Sequence, residues 1–201
     1  SGGQLQVAGF DVEADALEVK HRLAYIPDDP QLFYDLTVDQ HLAFMAAVYR
    51  VSDADVKARR LLENFHLLDK RHTPAGDLSR GMRQKLAISC AYLHDPLVIL
   101  FDEPLTGLDP QGIRTLKRSI LERADSGSAI MISSHLLAMV EDICSHVLIL
   151  DRGQERFCGD LSQLRQAFSQ SPENTTLEEI FFEATGASAM VQSVLQTSPA
   201  Q

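Results

Sequence analysis

The sequence predicts an α/β fold built on a parallel sheet, with a group of helices inserted between its strands. Three observations carry this. LVILF (97–101) is apolar at every position, the pattern of a strand covered on both faces inside a parallel sheet. Strand and helix signals alternate from residue 97 to residue 150, which calls for right-handed crossovers. Three helical patterns in succession occupy residues 35–95, ahead of that alternation.

Each element has a local reason. QLQVAG (4–9) alternates and stops at Gly9, and LAYIP (23–27) is a short apolar run closed by Pro27 and Pro30. Thr37 opens a helix with Gln40 as its capping-box partner, and apolar residues continue to Val48. Ser52 is expected to cap a second helix through Phe65. After a polar loop (69–77), Ser79 caps a third helix. Its buried stripe is Met82, Leu86, Cys90 and Leu93, and Asp95-Pro96 ends it. Asp109 caps the next helix, with Pro110 at its first position. SAIMISS (128–134) and HVLIL (146–150) are expected to be buried strands, separated by a helix through Ile143. A hairpin turns at Arg152-Gly153. Two helices close the chain, the second with a capping box at Thr176 and Glu179, and the last dozen residues are expected to fray. The expected organisation is a core segment at 1–34, a helical subdomain at 35–95, a second core segment at 96–160, and C-terminal helices and tail at 161–201.

Composition narrows the function. The chain has 201 residues, 45% of them hydrophobic, which suits one domain or a core with a smaller subdomain. A formal net charge of −10 argues against unaided binding to nucleic acid or anionic lipid. Cys90, Cys144 and Cys158 are isolated, and the first two sit in apolar helical patterns. Free thiols in a reducing compartment are expected. No apolar run approaches the ~20 residues of a membrane span, and SGGQLQ carries no signal pattern. A soluble, cytoplasmic protein is the expectation.

The chemistry concentrates where strands end. Asp102 and Glu103 terminate LVILF, and His135 follows SAIMISS. In open parallel sheets, ligands bind beyond such carboxyl ends. Singly, a carboxylate can cap a turn and a histidine can be a surface residue. Together they suit phosphoryl transfer. One carboxylate offers Mg²⁺ a hard oxygen, a second can take a proton from water, and a histidine can hydrogen-bond a transferring phosphoryl group. Ser79 at a helix start adds an anion-binding geometry, though an ordinary N-cap looks the same.

These segments resemble the motifs of ABC ATPases. LVILFDEP is similar to the Walker B strand and the acid after it, and TGLDP (106–110) to the D-loop. ISSHLL (132–137) is similar to the switch-histidine segment, and LSRGMRQKL (78–86) to the signature motif. YIPDDPQLFYDLTVDQHL (25–42) resembles the Q-loop and entry to the helical subdomain. LEEIFFEATG (177–186) resembles the end of export-type subunits. The resemblance covers almost the whole chain.

It implies a P-loop NTPase-type core with an inserted helical subdomain, and the role of an ATP-hydrolysing subunit that powers an exporter. ATP and Mg²⁺ would be its cofactors. Asp102 would hold Mg²⁺ through its water shell, Glu103 would be the general base, and His135 would contact the γ-phosphate. Ser79 and Gly81 would bind ATP held by a second ATP-binding subunit, identical or not, and Asp109 would reach across that interface. A transmembrane permease would be the other partner, placing the protein peripherally on the cytoplasmic face of the membrane. Two positions depart from the pattern. Arg80 stands at the first signature glycine and adds a positive charge. Asp28 stands at the Q-loop glutamine and still offers Mg²⁺ an oxygen, or simply sits in the Pro27–Pro30 turn.

A third departure is larger. Hydrolysis in this family needs a G-x-x-x-x-G-K-S/T phosphate loop, and none of the glycines here is followed by lysine. The chain is therefore expected to be a fragment that begins after that loop and lacks its strand. ATP and Mg²⁺ binding would then be weak or absent and the fragment inactive. The expected gap lies between SAIMISS and HVLIL. Either those strands close on each other, or another copy fills the gap in a non-native strand-swapped dimer. The competing reading is a non-catalytic short module that docks on a transporter and regulates it. A chromosome- or DNA-repair-type ATPase is disfavoured by the absence of long heptad helices and by the acidic charge.

Overall fold

Ala8 and Gly9 both take left-handed backbone angles, φ 50° and 83°, and so fold the first alternating segment into a tight hairpin. Its strands are short, β1 (Gln6–Val7) and β2 (Phe10–Asp11). The computed structural model describes residues 2–168 and 175–185. It divides into two compact units, Ser1–His135 and Leu136–Gln201.

In the first unit, the Asp11 carboxylate accepts from the N–H groups of Glu13 and Ala14 and turns the chain into α1 (Ala16–Arg22), a helix the sequence reading did not foresee. β3 (Leu23–Ile26) follows. Three helices come next: α2 (Val38–Tyr49), α3 (Ala54–Asn64) and α4 (Arg80–Tyr92). The Thr37–Gln40 capping box closes at 3.2 and 2.8 Å, as expected. Ser52 is not the cap of α3. Asp53 is, in a left-handed conformation at φ 53° with no side-chain bond. The chain has already turned at Arg50, φ 52°, and Asp tolerates the second left-handed step. Val38 and Leu42, Leu62, and Leu86, Cys90 and Leu93 bring the three helices together around one core. Burial pushes the Cys90 thiol up to about 12.

β4 (Val98–Asp102), α5 (Pro110–Asp125) and β5 (Ala129–Ser133) complete the unit. The sheet is parallel, in the order β3-β4-β5, with Ala24, Ile99 and Ile130 in one row and Ile26, Phe101 and Ile132 in another. Ala24, Ile26, Ile99 and Phe101 are buried. The opposite face carries Tyr25, Leu100 and Met131, of which Tyr25 and Met131 are exposed. SAIMISS was expected to be covered on both faces. It is an edge strand, paired among the described residues with β4 alone, and it alternates between exposed and half-buried positions.

The second unit holds α6 (Leu137–Val140), β6 (His146–Asp151), β7 (Gln154–Asp160), α7 (Leu161–Phe168) and α8 (Leu177–Ala184). The expected helix through Ile143 stops at Val140. It starts at Leu136, which has no capping side chain, and it makes only a single turn. Cys144 therefore lies outside a helix. HVLIL is not a sheet interior either. It forms an antiparallel hairpin with β7 through Arg152 (φ 51°) and Gly153 (φ 76°), leaving Leu148 and Leu150 half exposed. The hairpin itself was expected. Among the described residues β5 pairs with β4, and β6 pairs with β7. Ile149, Leu164, Leu177 and Ile180 make this unit's core. The Thr176–Glu179 capping box is present. The expected fraying of the last dozen residues lies outside the described residues.

Candidate functional site

Because β3, β4 and β5 are parallel, their carboxyl ends share one edge of the sheet, and Asp28, Asp102, Glu103 and His135 all follow those ends. Asp102 is the last residue of the central strand and pairs in register with Ser133. The Ser133 hydroxyl donates to its Oδ1 at 2.6 Å, and the Tyr25 hydroxyl reaches its Oδ2 at 3.4 Å. Partial desolvation, then the charge and hydrogen bond of Asp102, raise the Tyr25 hydroxyl above its ordinary value. The Asp102 carboxylate and the two hydroxyls that bond it offer oxygen, the ligand type a hard cation selects. Among the described residues no three His, Cys, Asp or Glu side chains converge into a cage.

Glu103 leaves the strand in a left-handed conformation, φ 48°, and its own N–H bonds Ser133 O at 3.0 Å. That turn redirects its side chain toward the segment after β5. Its Oε1 accepts from the His135 backbone N–H at 3.0 Å and lies 2.8 Å from His135 Nδ1. The Ser134 hydroxyl approaches Oε2 at 3.4 Å. The carboxylate is three-quarters covered, while the His135 ring is 68% exposed. A shielded acid therefore faces an open imidazole.

The start of α4 forms the other side of the motif set. Ser79 accepts from Met82 N–H at 3.3 Å as the N-cap. A Cβ on Gly81 would lie 2.7 Å from the Gly107 carbonyl oxygen, so Gly81 lets the helix start rest on the 106–110 turn. This reason differs from the phosphate approach expected for it. Arg80 extends to Asp28, with Nη2 at 2.8 Å from Oδ1. Asp109 caps α5 through Gly112 N–H at 3.1 Å, and the same Oδ1 accepts from Lys85 at 3.1 Å. Lys85 holds the Asp109 carboxyl below its ordinary value. A Cβ on Gly112 would meet Asp109 Oδ1 at 2.6 Å, so a larger residue there would require the Asp109 and Lys85 side chains to move.

Two contributors went unforeseen. Lys85 sits one helical turn past Gly81, and only the fold shows it facing Asp109. Gly107 looked like an ordinary turn glycine, yet its φ of 77° and its contact with the Arg80 stem make it the floor under the signature segment. A cleft of about 380 Å³ lies among α2 and α3, and none of the residues just described lines it.

Residues 1–106 match the family model for the ABC transporter ATP-binding domain. The chain belongs to that family. It is 32% identical over 185 residues to the ABC-type transporter ATP-binding protein EcsA of Bacillus subtilis, covering 91% of this chain and 74% of that protein. It is 33% identical over 170 residues to the ABC transporter ATP-binding protein NatA of the same organism, covering 83% and 69%. A solved ATP-binding subunit of an ABC transporter superposes with a TM-score of 0.83 at 32% identity, covering 89% of this chain and 75% of the other. Domains of this family are ATPases that bind ATP with Mg²⁺, dimerise, and work with transmembrane partners. No helix among the described residues is long and apolar enough to cross a membrane.

Proposed function

We propose that these residues form the hydrolytic and partner-facing part of the ATPase subunit of an export-type ABC transporter. Glu103 is the general base and His135 the γ-phosphate contact. Asp102 would hold Mg²⁺ through water, and Asp28 would offer a second oxygen on the same edge. Mg²⁺ there would neutralise phosphate charge. Ser79, Arg80 and Gly81 face ATP held by the second subunit, and Asp109 lies at that interface. Residues 35–95 act as the helical subdomain that meets the permease.

The observation that carries this reading is the pairing of Glu103 with His135. A base for an attacking water needs an acid that is shielded but reachable, at the mouth of a parallel sheet, with a partner that fixes its orientation. Family membership adds the substrate class. The phosphate loop required for turnover does not occur within the 201 residues, so hydrolysis is proposed for the assembly in which these residues meet such a loop. The alternative reading is a non-catalytic module that docks on a transporter and regulates it.

The deciding experiment is Glu103→Gln in the assembled subunit. Nucleotide binding is expected to persist and steady-state ATP turnover to disappear. Unchanged turnover would remove Glu103 as base. Absence of turnover in the wild-type assembly would favour the regulatory module.

A further inference from the structure

Arg80 and Asp28 are the two positions where the chain departs from its family's motifs, and they bind each other across 52 residues of sequence. Their opposite charges cancel. Asp28 lies just past β3, on the segment leading into α2, and Arg80 is the first residue of α4. The Arg80 stem rests on Gly107, where an added Cβ would touch Cδ at 3.2 Å and Nε at 3.3 Å. One side chain thus links three motif segments: the Q-segment, the signature helix and the 106–110 turn.

From this arrangement we infer that the Arg80–Asp28 pair is a nucleotide-sensitive latch. Arg80 ties the start of α4 to the Q-segment. When anionic phosphate arrives at the helix start, Arg80 exchanges its carboxylate for phosphate and frees Asp28. The inference rests on the ATP-binding reading above and adds a regulation of that site.

Magnitude and position support exchange over a fixed brace. The Arg80 and Asp28 side chains are 49% and 44% exposed. A pair so exposed changes the folded-to-unfolded ratio by only about 1.4- to 5-fold. A polyphosphate carries several charges and takes guanidinium bidentately, so it outcompetes a single half-solvated carboxylate. Arg80 also lies at the first N–H groups of α4, which have no partner within the helix and favour an anion beside them. The competing anion therefore arrives next to the latch. Releasing Asp28 frees the lead-in to Thr37 and α2, which gives the site a physical link to the helices proposed to meet the permease.

The test is a double-mutant cycle of Asp28→Asn, Arg80→Gln and the double variant. It uses denaturant unfolding of the full chain at low salt, with and without MgATP titrated to high millimolar concentration. Without nucleotide, the two substitutions are expected to be non-additive by about 1.4- to 5-fold, with the coupling fading in molar salt. With MgATP the coupling is expected to vanish. Arg80→Gln is expected to weaken MgATP binding, while Arg80→Lys keeps part of the binding and part of the coupling to Asp28. Additivity without nucleotide overturns the pair. Coupling that persists while MgATP stabilises the wild type overturns the latch and leaves the ATP-binding reading standing. If MgATP stabilises nothing at any concentration, phosphate does not reach Arg80 in this chain and the latch falls, while the ATP-binding reading, which concerns the assembled subunit, stands.

Discussion

His135 holds one oxygen of Glu103 twice, from its backbone N–H at 3.0 Å and from ring Nδ1 at 2.8 Å. The backbone contact comes with the fold, whereas the ring contact belongs to the side chain. The two can be separated by mutation.

His135→Ala keeps the backbone bond to Glu103 and removes the ring. Glu103→Gln keeps the shape and removes the basic oxygen. Loss of a general base costs about 10²–10⁴-fold in rate. Glu103→Gln is expected to fall in that range. His135→Ala is expected to cost less if the ring only orients Glu103, and as much if it also contacts phosphate. Pre-steady-state phosphate release from the assembled subunit, compared with nucleotide affinity, checks both. Equal turnover in all three proteins contradicts the assignment.

Lys85 and Asp109 give a prediction in pH. The Asp109 carboxyl lies below its ordinary value of 3.8, chiefly through the Lys85 hydrogen bond. A depressed carboxyl adds stability that is present above the unfolded value and lost as pH falls through the folded one. The affected window is therefore below about pH 4. In Lys85→Met the Asp109 titration is expected to move up, and stability to fall less steeply on that acid limb. Carboxyl-carbon NMR titration of Asp109 reads it directly. An unmoved titration would show that Lys85 does not set it.

Gly81→Ala sets two effects against each other. Alanine improves helix propensity by about 1 kcal/mol. Its Cβ would also lie 2.7 Å from the Gly107 carbonyl oxygen, so backbone has to shift. Overpacking of this kind costs about 1–3 kcal/mol, and it prevails here because both sides of the contact are main chain. Denaturant midpoints are expected to show net destabilisation. A stabilised Gly81→Ala would mean that the helix start does not rest on the 106–110 turn.

Much of this site was legible in the sequence. Thr37, Ser79, Asp109 and Thr176 were read as caps, and each accepts its expected backbone N–H. The central strand was legible because apolar residues filled every position of 97–101. The same rule misread SAIMISS and HVLIL. An apolar residue such as Met131 or Leu150 does not reveal whether anything covers it, and here nothing among the described residues does so fully. Side-chain partnerships between distant positions were also beyond reach. Arg80 and Asp28 each looked like an isolated substitution, because their contact depends on where β3 and α4 meet.

Phe33, Tyr34, Phe44 and Val48 are exposed on the lead-in to α2 and on α2 itself, with Phe33 edge-on to Phe44 at 5.5 Å. Aromatic residues at interfaces fill partner pockets. Crosslinks from residues 34–60 to a co-purified membrane subunit are expected, and Phe44→Asp is expected to lower complex recovery without changing the chain's own unfolding. Crosslinks confined to the C-terminal helices would contradict this placement.

The last prediction concerns β5. Its outer side has no partner strand among the described residues, and its uncovered face carries Met131 at 65% exposure, in one row with Leu100 and exposed Tyr25. Parallel sheets are normally covered on both faces, and an open apolar edge recruits other strands. The chain alone is therefore expected to self-associate through this edge, as the sequence reading anticipated for a swapped dimer. Inward or edge-facing charge is the usual device against such pairing. Met131→Lys places a charge on the uncovered face without touching the opposite-facing row of Ile99 and Ile130. It is expected to shift light-scattering mass toward monomer while leaving far-ultraviolet circular dichroism unchanged. Association through another surface would leave Met131→Lys as associated as the wild type. A wild-type chain that stays monomeric across a wide concentration range would rule out recruitment at β5 altogether.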